Sequence, residues 1–406
     1  MGDSFLFNPL DPETRRNPYA FYARGRQEHP VHPHTELPLS IFSVFNYDDV
    51  QAILRDDATF SNQFDDAFEG TPLYEAEQDR IDSMIGLDGE THHRLRSLVN
   101  KAFTPRVIQQ REEQMRATAS ALVEAAVAKG EVDLVQALTY PFPVQVIAEI
   151  IGIPTEDRER FKAWSDRSIA NLGTGFFENP NEDDIREGRE LFDEMRGYFI
   201  PLAEERVRSP REDLLTGLVQ AEHEGSKLSH DEMLSMLVLL LVAGNETTTT
   251  LIGNAALEFM AHPEQMDRLR ADTTLMPSAV DEVLRFAAPV QFDPRRATRS
   301  LVLQGQEIPQ NSIMLCWLAS ANRDEKIFDR PEDFDVSRNP NPHLSLGFGV
   351  HYCVGANLAR LEARIALETL LEKTRHMERA DDDPLPLHPS PVFRAASRIQ
   401  VRLEPA

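Results

Sequence analysis

The residues with the most chemical potential lie near the C-terminal end, in Leu346-Gly347-Phe348-Gly349-Val350-His351-Tyr352-Cys353-Val354-Gly355. One cysteine sits between glycines, and apolar residues at helical spacing follow at Leu358, Leu361, Ile365, Leu367 and Leu371. That spacing predicts a helix from about Gly355 to Lys373. Glycines at φ > 0 let a backbone turn tightly around a sulfur and leave room for a flat ligand. A thiolate before a helix N-terminus is stabilised by the dipole and by backbone N–H groups. Such a sulfur suits a soft or redox metal, with haem iron the leading candidate. Alone, a free cysteine is more often a small buried hydrophobe.

A second group is Ala243-Gly244-Asn245-Glu246-Thr247-Thr248-Thr249-Thr250, whose Gly, Asn and four threonines are poor helix-interior residues inside a long helical pattern. Thr hydroxyls can bond carbonyls one turn back and open the helix. For Thr248 to Thr250 an imperfect helix suffices as a reading. Glu246 and Thr247 form an acid–alcohol pair able to hold and pass protons. A third group is cationic: His92 and Arg96 at i and i+4, and Arg295. Arg pairs bidentately with carboxylates, although a solvated charge is the plain alternative for each.

Together these stretches resemble the cytochrome P-450 family. Gly347, Gly349, His351, Cys353 and Gly355 fall on its Phe-Gly-x-Gly-x-His-x-Cys-x-Gly loop, with Leu346 where Phe is usual. Ala243-Gly244-Asn245-Glu246-Thr247 is similar to its Ala-Gly-x-(Asp/Glu)-Thr motif, Glu282 and Arg285 to its Glu-x-x-Arg with Arg338 as third member, and His92 and Arg96 to its His-x-x-x-Arg. The resemblance spans nearly the whole chain. It implies haem b with iron on Cys353, propionates held by His92, Arg96, Arg295 and His351, and haem contacts at Ala243, Gly244, Leu346, Gly347 and Gly355. It implies Thr247 as the oxygen-activating alcohol and Glu246 as the relay acid, with dioxygen as oxidant. Position in the family places Phe68, Met84, Ile85, Leu239, Val242, Val290, Phe292, Val392 and Phe393 around an apolar small-molecule substrate. The reaction implied is hydroxylation of a C–H bond. Oxidative coupling or rearrangement, or a non-catalytic haem sensor or carrier, are the alternatives. With no flavin or iron–sulfur motif, electrons come from a ferredoxin or similar donor with its reductase, docking near Lys101, Arg106, Arg360 and Arg364.

The elements that must position these groups are mostly helical. The resemblance implies a mainly α triangular prism with a small β-rich region, residues 1–406 as one domain, and haem between the long central helix and the Cys loop. Ser229 and Glu232 have capping-box spacing, and the helix they open runs to His262-Pro263. Further helices are expected at 92–103, 107–129, 142–151, 156–171, 182–207, 211–223 and 276–287. Residues 31–45 and 295–318 read as strands and turns, 58–89 as a loop with a short helix, and 322–345 as irregular. Arg296, Arg299 and His93 read as surface residues, and His29, His32 and His34 match no metal site.

The 406-residue chain has net charge −25, which argues against nucleic acid and anionic membrane surfaces as partners. Two cysteines, Cys316 and Cys353, exclude a disulfide framework and suit a reducing compartment. No signal-peptide pattern opens the sequence, and the apolar run Met236–Ala243 is far short of the ~20 residues that span a bilayer. A cytoplasmic enzyme is expected.

Overall fold

The computed structural model describes residues 5, 7–37, 39–71, 74, 83–103, 108–170, 176–177, 181–223 and 226–406. Its axis is the helix His230–Ala261, 32 residues long, which at 1.5 Å per residue spans about 48 Å. Both halves of the expected capping box form. The Ser229 hydroxyl accepts from Glu232 N at 3.1 Å, and the Glu232 carboxylate accepts from Ser229 N at 2.8 Å. Pro263 then stops the helix and opens the next, Pro263–Ala271.

This long helix is apolar on nearly every side because other helices cover it. Pro141–Ile151, Arg158–Ala170, Glu182–Arg208, Met276–Phe286 and Ala356–Lys373 all pack against it. By length and composition it is long and apolar enough to cross a membrane, because its apolar character extends beyond the short run Met236–Ala243. Yet 67% of its apolar window is buried inside the protein, as a core helix requires.

The β region carries one site residue. Its five strands run in the order Val31–His34, Ile41–Val44, Ile313–Cys316, Asp293–Ala297, Phe60–Ser61. All pairs are antiparallel except Ile313–Cys316 with Ile41–Val44. Arg295 faces Met314 in the register, in a strand flanked on both edges. That central place buries Arg296 as well, which corrects the surface expectation. Arg296 is 7% exposed and pairs with Asp66 Oδ2 at 2.9 Å and Asn311 Oδ1 at 2.8 Å. Arg299 and His93 are exposed as expected.

Most expected helices form within a few residues of their bounds. The stretch 211–223 is helical only over Leu214–Gln220, opened by Asp213 accepting from Thr216 N at 2.8 Å. The N-terminal polar stretch hides a helix, Tyr19–Glu28, whose Gly25 sits where a Cβ would lie 2.7 Å from the Phe45 ring. In the sequence Gly173, Gly175 and Pro180 mark a break between two helical patterns, which lies outside the described residues.

The irregular segment before the Cys loop is braced by an ion network. Glu282 and Arg285 are fully buried and joined by two 2.8 Å bonds. Arg338 Nε, Asn341 Nδ2 and Asp335 N also donate to the Glu282 carboxylate. Arg285 in turn donates to the carbonyls of Asn322, Pro331 and Asp333. Two helix residues thereby pin a loop that has few regular backbone bonds of its own.

Candidate active site

Cys353 is held by its own loop. Gly347 and Gly349 have φ of 73° and 74°, the left-handed region that favours glycine. Gly349 has a second reason to lack a side chain: a Cβ would lie 2.6 Å from Leu54 O, so the loop presses on the helix Tyr47–Arg55. Cys353 N donates to Leu346 O at 2.8 Å, and the helix Ala356–Lys373 begins three residues later. The residue is half-buried. Desolvation raises its pKa above the ordinary value, opposed by the Gly355 N–H, Arg96 and Arg360. Without a metal the thiol form is favoured, and a bound cation reverses that balance.

The expected residues are linked to one another, and Arg96 reaches this sulfur. Arg96 is close enough to Cys353 to feel a thiolate, and it donates to the Tyr352 carbonyl. His92 and His351 have ring centroids 4.2 Å apart. Burial, then His351 and Arg96, hold the His92 pKa down to about 4, so its ring is neutral near pH 7. Arg295 is 2% exposed and forks onto Asp293 at 2.5 and 3.1 Å. One member escaped sequence reasoning. Asp88 occupies the N-cap of helix Gly89–Ala102 without capping it; its carboxylate instead accepts from His351 Nε2 at 3.1 Å and Asn62 N at 3.0 Å. An acid immediately before Gly-Glu-Thr-His was the available signal.

The expected opening at the acid–alcohol pair does not form: the long helix runs through it unbroken. Thr247 Oγ1 donates to Ala243 O at 2.7 Å, one turn back. Glu246 is 8% exposed. Burial first, then Asp166, push its pKa up to about 7. Thr250 offsets part of that rise, but its hydroxyl reaches no hydrogen-bond geometry with any partner. His388 Nε2 lies 3.5 Å from Glu246 Oε1, a neighbour that no local motif announced.

The expected pocket walls divide. Val242, Val290 and Val392 pack with Phe393 in a small apolar cluster, tied by a backbone bridge between Val290 and Phe393. Leu239 packs on the main core and Met84 lies within it. Phe68 is buried in the N-terminal aromatic cluster. Ile85 departs from its neighbours at 58% exposure. Phe292 also departs: at 1% exposure it is fixed between Phe177 and Trp317, with centroids 5.9 and 5.0 Å away, as aromatic core. Among the described residues no group of three or more His, Cys, Asp and Glu could hold a metal ion.

One cysteine for an iron, cations for two carboxylates, and His92 Nδ1 buried without a partner fit a haem, whose propionates would satisfy that nitrogen. The site defines a haem-thiolate protein. The family model for cytochrome P450 matches residues 4–403. Cytochrome P450 CYP109Q5 from Chondromyces apiculatus is similar in structure, with TM-score 0.87, 38% identity and 98% of each chain covered. CYP109E1 from Bacillus megaterium, solved in complex with corticosterone, matches with TM-score 0.84 and 34% identity over 96% of this chain and 99% of that one. Cytochrome P450 monooxygenase PikC of Streptomyces venezuelae is 36% identical over 97% of this chain and 92% of its own. The chain belongs to the cytochrome P450 family and is a haem-thiolate monooxygenase with Cys353 as the iron ligand.

Proposed function

We propose that this chain, working as one cytoplasmic domain, hydroxylates a C–H bond of an apolar small molecule with electrons from a separate ferredoxin-type donor and its reductase. The overall balance is substrate C–H, dioxygen, two electrons and two protons to substrate C–OH and water. Haem bound at Cys353 supplies the centre for dioxygen activation. His92, Arg96, Arg295 and His351 hold its propionates. Gly244 lets the long helix lie close to Ile147, whose side chain a Cβ would meet at 3.3 Å. Thr247 holds a proton at Oγ1, and Glu246 replenishes it.

The observation that carries this reading is the Glu246–Thr247 pair. Burial brings the acid's pKa to about 7, where a general acid–base group is most effective at neutral pH. A haem carrier would have no use for it. Val242, Val290, Val392 and Phe393 give the substrate side its apolar character, and the steroid complex of the similar CYP109E1 makes steroids a first ligand set. For the donor, Arg360 and Arg364 are half-exposed, though each already pairs with an acid, Asp281 and Glu112. Arg106 and the Lys101 side chain lie outside the described residues.

Turnover with a surrogate ferredoxin and reductase under ¹⁸O₂ tests the proposal. The expected product carries one labelled oxygen atom. A coupled or rearranged product without label contradicts hydroxylation.

A further inference from the structure

Helices Gly89–Ala102 and Ala356–Lys373 each send an arginine to the residue that precedes Cys353. Arg96 donates to the Tyr352 backbone carbonyl, and Arg360 Nη1 donates to the Tyr352 phenol oxygen at 3.2 Å. We infer that Arg360, held in place by Asp281 and Tyr352, acts as a second cation on the Cys353 thiolate and raises the reduction potential of the iron bound there. The inference rests on the reading of Cys353 as the iron ligand.

The propionate side takes His92, Arg96, Arg295 and His351 and leaves Arg360 to another role. Two bonds at different nitrogens fix its guanidinium. Nε donates to Asp281 Oδ1 at 2.7 Å, a short charge-assisted bond, while Nη1 reaches Tyr352. Asp281 is held in turn by His343, whose Nε2 lies 3.3 Å from the same oxygen. A chain His343–Asp281–Arg360–Tyr352 therefore runs from a buried imidazole to the residue next to the sulfur. Asp281 and Tyr352 are positioning residues, and Arg360 is the member whose charge acts.

That charge is secure. Burial works against it, but the Tyr352 phenol and the Asp281 carboxylate outweigh burial and raise the Arg360 pKa above its ordinary value. At Cys353 burial favours the neutral thiol, and the Gly355 N–H, Arg96 and Arg360 favour the anion. Reduction adds negative charge to the iron and its sulfur ligand, so a cation beside them favours the ferrous form. Asp281 offsets part of this field.

Arg364 supplies the comparison. It lies one turn further along the same helix, about 6 Å further from the loop, and pairs with Glu112 at 2.9 Å. Its side chain is 31% exposed, as is that of Arg360. The two differ in distance from the sulfur and in the bond to Tyr352.

The test is spectroelectrochemistry of the holoenzyme with small mediator dyes and no protein donor, so a docking role for Arg360 would by itself leave the potential unmoved. In Arg360→Gln the one-electron equilibrium shifts at least threefold towards the ferric form, about 28 mV at ~59 mV per tenfold. Arg360→Lys, which keeps the charge, restores most of it, and Arg364→Gln leaves the parent value. Tyr352→Phe alters no charge, shifts the potential the same way by less, and adds nothing in the Arg360→Gln background. It also carries the test if Arg360→Gln fails to hold haem. An unmoved potential in Arg360→Gln or in Tyr352→Phe, or an equal shift in Arg364→Gln, overturns the inference. The Cys353 ligand itself stands or falls separately, on the carbon-monoxide spectrum of the parent protein.

Discussion

The rings of His92 and His351, 259 residues apart in sequence, lie 4.2 Å apart, and His92 Nδ1 is buried with no acceptor. A propionate would supply that acceptor. His92→Phe keeps the ring's bulk and removes its hydrogen bond, which is worth about 1.5–3 kcal/mol when one partner is charged. Haem affinity is therefore expected to fall roughly tenfold or more, with apoprotein stability unchanged. Titration of apoprotein with haem measures it, and an unaltered dissociation constant contradicts the assignment.

Glu246 sets a pH dependence of stability. Its folded pKa, about 7, is raised from 4.5, chiefly by burial. The protonated form is thus favoured in the folded state, and its contribution is complete below pH 4.5 and is lost as pH rises through 7. Glu246→Gln removes the titration. Its unfolding free energy is expected to exceed the parent's above pH 7, by up to about 3.5 kcal/mol at ~1.4 kcal/mol per pH unit between 4.5 and 7, with a correspondingly higher melting temperature, and to match it near pH 4. Parallel melting curves at both pH values contradict the burial argument.

The Glu282–Arg285 pair is fully buried, whereas Arg330 sits at 66% side-chain exposure beside Asp333. Removing one partner of a buried pair costs about 3–5 kcal/mol, and an exposed pair contributes about 0–1 kcal/mol. Urea denaturation of Arg285→Leu and Arg330→Leu is expected to differ by that margin. Equal midpoints contradict a bracing role for the network.

Leu346 takes the place of the family's usual Phe, and its carbonyl holds the Cys353 N–H at 2.8 Å. Reduction adds negative charge at the thiolate-bound iron, so a ring that excludes solvent disfavours the ferrous form. Leu346→Phe is expected to lower the reduction potential by some tens of millivolts, where ~59 mV is tenfold in a one-electron equilibrium. Spectroelectrochemistry checks it, and an unchanged potential removes Leu346 from the tuning of the iron.

Much of this was legible because the signal and its effect lay within one element. Ser229 and Glu232 are three residues apart, as are Glu282 and Arg285, and both pairs form as their spacing predicts. The Cys loop was readable for the same reason, whereas the expected break at Glu246–Thr247 is absent because packing by neighbouring helices keeps the long helix continuous there. Contacts between distant segments were not. Nothing near Asp88 names His351, nothing near His388 names Glu246, and Arg296 looks solvated until two neighbouring strands enclose it. Helix Tyr19–Glu28 was missed because aromatic packing, including the close approach of Gly25 to Phe45, outweighs its polar sequence.

The central claim is a bond between Cys353 sulfur and haem iron. The absorbance spectrum of the dithionite-reduced protein under carbon monoxide tests it most directly. The account predicts a strongly red-shifted Soret band in the parent protein, absent from Cys353→Ala. A parent protein that binds no haem, or a Cys353→Ala form with the same band, contradicts it.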